Sequence, residues 1–596
     1  MPTKKRRQFF HGKESAFLND RLLFIGSILA FTALIFDFGF RNNFWHQFVT
    51  DSFYLAYGLL FFVRMRQIIL DNPASNRARR ASRYVILAAA GALAFLALFN
   101  LGEFAILHKG FIRPTAGLVL FLAVLDISAR VYAIERQTLH PALAFALSFF
   151  LLICVGTMLL LLPLATPAGI SFIDALFTST SAVCVTGLAV LDTGRDFTFF
   201  GQFIILLLIQ LGALGMLTFT NLFGLFFQGY GSYRNRLMLK DMINANDIGD
   251  TFNTLVKIVT FTFAIEGAGA VCIYYSLGPG DGGPGGRLFF SIFHAISAFG
   301  NAGFSTLSNS LYEEGYRYNY SLHLAIAALI ILGGIGYSVF INFYTYLKII
   351  LKQYHWRLFR NDSNFVYRKP GLSVNTRIVL LTSLFLLLSG ALAFYLLEYD
   401  NTLAEHSGWG KVAVAFFGSV TTRTAGFNTV DTAALAMPTL MVCFLLMWIG
   451  ASPGSTGGGI KTTTFALTVM NIYRQVLGQD RIIFGWKQIP MQALQRATAV
   501  ILLSILGIGA AIFSVIYFDG RLGFMPIAFE CISAYSTVGL SMGITASLSA
   551  ASKLTLALAM FVGRVSFLTL LTGIARQFAP RRHNPVQYPE EDILIN

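Results

Sequence analysis

Four short stretches of this 596-residue chain put a glycine after small, hydroxyl-bearing or amide residues: Val185-Thr186-Gly187-Leu188, Asn301-Ala302-Gly303-Phe304, Thr424-Ala425-Gly426-Phe427 and Thr537-Val538-Gly539-Leu540. None carries an acid, a base or a nucleophile, so any chemistry lies in the backbone. A cation that sheds water must find other oxygens. Consecutive carbonyls supply them if the chain turns them to one side, a conformation glycine adopts without a Cβ clash. The glycines recur at intervals of 116, 123 and 113 residues. Ten residues before them stand Phe177, Phe293, Phe416 and Phe529, and six before stand Ser181, Ser297 and Ser533, with Val420 breaking the pattern. Five before are Ala182, Ala298 and Ala534, with Thr421 as the exception. One such tripeptide carries little information. Four with matched flanks indicate internal duplication and one wall each of a single-chain, four-walled ion filter.

A second constellation follows the third stretch. Ala451-Ser452-Pro453-Gly454-Ser455-Thr456-Gly457-Gly458-Gly459 interrupts an apolar run with residues that cannot stay helical in lipid without partners. Placed below the filter, the run from Gly454 to Gly459 is expected to act as a gate, the alternative being a kink needed for packing. Lys461 follows it, either facing the gate or snorkelling to the cytoplasm. Arg564 is a cation within an apolar helix and requires a cavity or a partner. Arg423 would block a pore if it pointed inward, so it is expected to face backwards and pair with Glu530 or Glu398. Glu266 reads as a paired structural carboxyl in preference to a proton or Na+ path, His294 as packing, and Asp174 as a charge at a helix N-terminus. No phosphate cradle or metal-ligand cluster stands out, and Gly280 to Gly286 follows no strand. The chain is therefore read as a non-enzyme without a cofactor of its own.

These residues need elements to hold them. The chain is 55% hydrophobic and 12% charged, with mean hydropathy +0.65, and its apolar runs are long enough to span a bilayer. The fold class is an all-α polytopic membrane protein; continuous instead of alternating runs argue against a β-barrel. The net charge of +15 sits between apolar runs, where positive-inside topology places it, so no nucleic-acid partner is expected. The five cysteines lack disulfide or metal spacing.

Lys4-Lys5-Arg6-Arg7 puts the N-terminus in the cytoplasm. Four spans at about 21–40, 48–69, 84–107 and 114–134 form an N-terminal extension (1–135) with a packing or dimer-interface role. Four pore units follow at 136–245, 246–360, 361–480 and 481–596. Each is expected to hold a first helix (142–165, 252–277, 377–398, 497–518), a short helix, the glycine loop and a second helix (199–228, 321–350, 438–475, 553–577), the third of which the gate candidate interrupts. The basic loops around Arg234 to Lys240, Lys352 to Lys369 and Arg474 to Arg496 all fall inside only if each short helix re-enters without crossing. Both termini are then cytoplasmic and the four units run parallel.

The helix–loop–helix unit from about 140 to 580, with Ser297-Ala298-Phe299-Gly300-Asn301-Ala302-Gly303-Phe304, Arg423-Thr424-Ala425-Gly426-Phe427 and Gly454-Ser455-Thr456-Gly457-Gly458-Gly459-Ile460-Lys461-Thr462, resembles the Trk/Ktr/HKT superfamily of potassium transporters. The resemblance implies a K+ uptake pore in the cytoplasmic membrane and a homodimer controlled by a cytosolic nucleotide-binding ring (RCK type). K+ is then the substrate and Na+ a candidate activator. It also implies an intramembrane gate loop with Arg564 against it. Gly187 matches the K+-preferring members, whereas Ser566-Phe567 departs from the expected Gly-Pro. Thr537-Val538-Gly539 is the wall most like a tetrameric channel filter, but one glycine per wall implies weaker K+ over Na+ preference than the two-glycine loop gives. The alternative is a tightly coupled Na+ or H+ symporter with alternating access. Such folds show inverted halves, and parallel repeats favour the pore.

Overall fold

The computed structural model describes residues 23–37, 44–71, 77–101, 141–215, 251–278, 285–359, 372–484 and 487–578, with isolated positions between them. An N-terminal bundle holds α1 (Leu23–Asp37), α2 (Phe44–Asp71) and α3 (Arg77–Leu101). The first pore unit is α4 (Pro141–Leu160), α5 (Phe172–Val183) and α6 (Phe199–Leu214). The second is α7 (Thr251–Ser276), α8 (Gly286–Gly300), α9 (Tyr320–Ile335) and α10 (Tyr337–Phe359). The third is α11 (Val374–Leu397), α12 (Trp409–Thr421), α13 (Met437–Trp448) and α14 (Thr462–Val476). A hairpin of β1 (Ile483–Phe484) and β2 (Lys487–Gln488) leads to the fourth: α15 (Met491–Asp519), α16 (Phe524–Tyr535), α17 (Ala550–Val565) and α18 (Phe567–Phe578).

Among the described residues five helices are long and apolar enough to cross a membrane, and seven if each of two bent pairs counts as one span. On α11, Leu381, Leu384, Phe385, Leu388 and Leu392 project outward, each more than half exposed, at helical spacing. A stripe of that size faces lipid. The chain is a multi-pass membrane protein.

In the N-terminal bundle Tyr54, Leu93 and Ala97 are buried together with Leu122, which belongs to the expected fourth span. Most of 114–134 lies outside the described residues, as do the basic loop at 234–240 and most side chains of the one at 352–369. The bundle meets the first unit where Leu164 N donates to the Gly39 carbonyl at 3.3 Å.

Local signals start the second helices. Thr198, Asn319 and Ser549 are N-caps whose side chains accept from Gly201, Leu322 and Ser552 N–H, while α13 begins on Met437-Pro438. The second helices expected over 321–350 and 553–577 are each broken, and the one expected over 199–228 is described only to Gly215. The α6 helix ends on Gly215 (φ 76°, ψ 126°), α9 on Gly336 (φ 90°, ψ 140°) and α17 on Ser566 (φ 74°, ψ 125°). A residue with positive φ cannot continue a right-handed helix. The chain therefore turns by 97° between α9 and α10 and by 80° between α17 and α18. Ser566 occupies glycine-type backbone with a side chain, a strain of ~1–3 kcal/mol. Ser566→Gly is therefore expected to raise thermal stability by about 1 kcal/mol or more, read from the unfolding midpoint. An unchanged or lower midpoint refutes it.

The pore helices α5, α8, α12 and α16 end beneath the four glycine loops. Their anchors are Phe177, Phe293, Phe417 and Phe529, each essentially without exposure. Phe416, assigned this place by counting back from Gly426, is only partly buried, so the assignment moves by one residue. The same shift accounts for Val420. In the first and fourth units Ser181 and Ser533 accept from Gly187 and Gly539 N–H at 3.1 Å. In the second Ser297 donates to the Phe304 carbonyl at 2.7 Å, and in the third Thr421, one residue later, donates to the Phe427 carbonyl at 2.5 Å. The third loop is one residue shorter, and its hydroxyl is displaced, not lost.

The units close cyclically: α6 packs on α8, α9 on α12, α13 on α16, and α17 on α5. Lys553 on α17 pairs with Asp174 on α5 at 2.7 Å, joining the fourth unit to the first. Arg317 pairs with Glu405 at 3.1 Å between the second and third. Asp174 is also in the first turn of its pore helix, as its sequence position indicated.

Candidate ion pathway

Each glycine loop has one backbone pattern. Val185 (φ 57°), Asn301 (58°), Thr424 (71°) and Thr537 (51°) are left-handed, and so are Gly187 (93°), Gly303 (70°), Gly426 (84°) and Gly539 (94°) two residues on. The residue between has no positive φ. Alternating handedness turns successive peptide planes so that carbonyls collect on one side. Four non-glycine residues in a region they ordinarily avoid mark a site held by its surroundings. The intervening side chains Thr186, Ala302, Ala425 and Val538 are fully buried. Their N–H groups turn back to the pore helices, on Ser181, Ser297, Thr421 and Ser533 carbonyls at 2.8, 2.7, 3.0 and 2.9 Å.

The four loops form one ring. A Cβ on Gly187 would strike the Ala302 carbonyl, one on Gly303 would come 2.7 Å from the Ala425 carbonyl, one on Gly426 2.5 Å from that of Val538, and one on Gly539 would strike that of Thr186. Every wall's glycine thus meets the next wall's carbonyl, and the fourth returns to the first. The same Cβ positions lie 3.0 to 3.1 Å from the next glycine's Cα. The structure brings the residues of the four glycine loops together, with pore-helix carbonyl ends contributing partial negative charge.

The predicted gate lies against this ring. After α13 the chain leaves helix from Ile449 to Lys461. A Cβ on Gly450 would fall 3.1 Å from Thr424 Cγ2, and one on Gly457 3.2 Å from the Asn301 side-chain amide. The broken second helix of unit two holds the loop. Ser452 and Thr456 N–H donate to Gly334 and Gly333 carbonyls at 3.0 and 3.4 Å, and Tyr337 N–H donates to the Gly454 carbonyl at 3.0 Å. Thr456 Oγ1 donates to the Phe299 carbonyl at 3.1 Å, and Ser455 Oγ closes on the Ser452 carbonyl at 2.6 Å. Two cations clamp it. Lys461 Nζ donates to the Gly457 carbonyl at 2.6 Å, which resolves its two readings toward the loop. Arg564 donates to the Thr456 carbonyl and, at 2.8 Å, to the Gly212 carbonyl of unit one.

Arg423 faces away from the ring as expected, but its acidic partner is corrected. It donates to the Ser383 carbonyl and hydroxyl at 3.3 and 3.4 Å. Glu398 instead gathers Asn401, Thr402 and the Ala436 N–H, and Glu530 gathers Ser541, Met542 N–H and Thr545. Both carboxyls organise segments beside the glycine ring. Glu266 accepts from Gln210 Nε2 at 3.1 Å across units one and two. His294 lies 2.9 Å from the Phe290 carbonyl and 2.9 Å from Ser305 Oγ.

Sequence reasoning missed the glycines that seat the second helices. A Cβ on Gly212, Gly333 or Gly563 would run into the Val183, Phe299 or Tyr535 carbonyl at the pore-helix ends. The signal was present in Gly212-Ala-Leu-Gly215, Gly333-Gly-Ile-Gly336 and Gly563-Arg-Val-Ser566, each placing the packing residue three before the helix break.

Residues 109–579 match the family model described as TrkH, cation transport protein. The Ktr system potassium uptake protein B of Bacillus subtilis is 34% identical over 456 residues, covering 76% of this chain and 96% of that protein. The potassium/sodium uptake protein NtpJ of Enterococcus hirae is 34% identical over 466 residues, covering 77% and 98%. The potassium transporter TrkH from Vibrio parahaemolyticus superposes with TM-score 0.56 at 16% identity over 88% of this chain and 97% of that one, a likeness of fold.

Proposed function

Because the chain belongs to the TrkH family of cation transport proteins, we propose that it carries potassium ions into the cell through the glycine-lined ring, gated by the loop from Gly454 to Gly459. The observation that carries this reading is the closure of the ring: four left-handed glycines, each against the next wall's carbonyl, around one axis. Backbone oxygens at that spacing replace a cation's water shell while the surrounding protein satisfies the N–H groups. The seated loop blocks the route and the two clamping cations hold it there. The relatives named as potassium uptake proteins support K+ as the ion carried, and Na+ as activator belongs to the same proposal.

A tightly coupled symporter would need two exchanging halves. The fourfold arrangement supports a channel-like route instead. The protein acts as the membrane subunit of a larger system. A homodimer in the cytoplasmic membrane, with both termini inside and a cytosolic nucleotide-binding ring as regulator, is the assembly we propose.

The test is K+, Na+ and Rb+ uptake by a potassium-uptake-deficient strain carrying this chain, followed by flux in liposomes. Potassium-restored growth and graded K+ flux are expected. No uptake above the empty strain despite membrane insertion refutes the function, and low-turnover flux with fixed Na+ or H+ stoichiometry refutes the pore.

A further inference from the structure

We propose that His406, where the second and third units meet at the end of α9 away from the gate loop, is a proton-binding site. A proton taken up there loosens the packing of α9 on the third pore helix, α12. The effect on flux rests on the reading of the chain as a potassium pore; the site itself does not.

This junction collects polar groups that the ion path leaves unused. His406 lies three residues before α12 and is buried, with 3% exposure. Its Nδ1 is 3.1 Å from the hydroxyl of Tyr320, the first residue of α9, and its Nε2 has no partner among the described residues. The Tyr318 and Tyr320 rings meet the imidazole edge-on at 5.5 and 5.9 Å. Tyr320 reaches this place over a glycine, since a Cβ on Gly410 would fall onto its hydroxyl. Deeper in the junction His323 is fully buried. Its Nε2 faces the Tyr316 carbonyl at 3.1 Å, which assigns the hydrogen to that nitrogen and leaves Nδ1 a bare acceptor without a partner.

The charged groups around His406 come from both units. Arg317 pairs with Glu405 at 3.1 Å and lies over the Tyr312 ring at 3.8 Å. Lys411, in the first turn of α12, donates to the Tyr399 carbonyl at 2.8 Å and lies over that ring at 3.7 Å. Glu398 on α11 is taken up by Asn401, Thr402 and the Ala436 N–H. Burial holds the His406 imidazole below the ordinary histidine range; Glu405 opposes this, while Arg317 and Lys411 add to it. The ring is therefore neutral near neutral pH and gains its proton as the medium turns acid.

Once protonated, both ring nitrogens are donors. Nδ1–H donates to the Tyr320 oxygen, but Nε2–H is left without an acceptor, and the new charge is enclosed beside Arg317 and Lys411. A buried charged donor with nothing to accept from it is strongly unfavourable. Water or the half-exposed Glu405 carboxylate supplies the acceptor only if the turn before α12 moves outward. Both elements at the junction lead to the ion path. The Phe417 anchor of α12 packs on His323 with ring centroids 5.8 Å apart, and α12 ends beneath Gly426, where a Cβ would already lie 2.5 Å from the Val538 carbonyl. At its far end α9 presents the Gly333 and Gly334 carbonyls that seat the gate loop. With so little clearance in the ring, displacing α12 misplaces the third wall and lowers flux.

The experiment measures Rb+ flux into liposomes, buffered alike inside and out, at about pH 7.5 and about pH 5.5 for full-length wild type, His406→Gln, His323→Gln and Glu405→Gln. Wild-type flux is expected to fall by about fivefold or more on acidification. His406→Gln keeps a polar partner for Tyr320 but takes up no proton, so it should lose most of that fall while matching wild type at the higher pH. Glu405→Gln removes the charge that favours the proton, and its fall should move to lower pH. His323→Gln should keep the fall. Thermal unfolding gives a readout free of transport. An imidazole that binds its proton less readily in the fold than in the unfolded chain adds stability above about pH 6.5 and loses it as pH drops. The wild-type midpoint should therefore fall with acidification by more than that of His406→Gln. Should His406→Gln fail to fold, His406→Asn is read the same way. A pH-independent wild type, or an equal fall in His406→Gln, overturns the site, as does a response lost in His323→Gln and kept in His406→Gln. A wild type that moves no Rb+ at either pH overturns the pore reading, and the site is then judged on the unfolding midpoints.

Discussion

Gly426→Ala is expected to lower potassium uptake by about 100-fold or more, equivalent to ~2.7 kcal/mol, with the protein still inserted in the membrane. Two costs combine. Gly426 has φ 84°, which costs an L-residue ~1–2 kcal/mol. The new methyl would also lie 2.5 Å from the Val538 carbonyl oxygen, 3.1 Å from Gly539 Cα and 3.2 Å from Gly303 Cα. All three are backbone of neighbouring walls, so nothing flexible can give way, and relief requires the ring to widen. Gly408→Ala separates the two costs. Gly408 also has positive φ, at 50°, but a Cβ there meets nothing within 4 Å. That control should show modest destabilisation with near-normal uptake. Gly187→Ser tests selectivity at the same level, since its Cβ would press on the Ala302 carbonyl and lie 3.0 Å from Gly303 Cα. Its K+ over Na+ preference should fall. Near-wild-type uptake by Gly426→Ala, or unchanged selectivity in Gly187→Ser, would remove the ring from the ion's path.

Removing the loop clamp should act in the opposite direction. Arg564→Gln is expected to raise flux at saturating potassium by about tenfold, with little change in half-saturation, because a charge-assisted bond to a carbonyl contributes ~1.5–3 kcal/mol. Arg564 holds the Thr456 carbonyl of the loop and, at 2.8 Å, the Gly212 carbonyl of the first unit. It thereby ties the loop of unit three to the second helix of unit one. Lys461→Met, which frees the Gly457 carbonyl now held at 2.6 Å, should raise flux further in combination. The measurement is Rb+ flux in liposomes normalised to reconstituted protein. A fall in flux from well-folded Arg564→Gln would mean that the arginine supports the open route, contrary to the clamp.

The two substitutions probe features of different legibility. The glycine ring was readable as four loops with matched flanks because a carbonyl-lined turn imposes glycine on the local sequence, whatever packs around it. The membrane class, the pore helices, the helix-start charge at Asp174 and the interruption at Ala451 to Gly459 were readable for the same reason. Each is a demand that backbone geometry or lipid makes on a short stretch of chain. The orientation of Arg423 away from the glycine ring was also inferred correctly, from the cost that a cation would carry in the proposed pathway.

Tertiary structure decided what depends on partners distant in the chain. The one-residue shift in the third unit is invisible to counting from Gly426, because Phe416 and Phe417 are both phenylalanine and only burial separates them. Arg423 meets Ser383 in place of an acid because α11 passes behind its pore helix. At Ser566 the break carries only half of the signature seen at Gly215 and Gly336: Gly563 stands three residues before it, but serine does not favour that backbone, and the surrounding packing imposes it. The cyclic contact of Gly187, Gly303, Gly426 and Gly539 exists only after four units assemble. By itself the sequence determined that there are four walls and what each is made of. Which carbonyl faces which glycine, and how Arg564, Phe299 and the Gly333-Gly334 carbonyls hold the loop against them, followed from assembly, because those contacts join residues more than a hundred positions apart and no local preference encodes them.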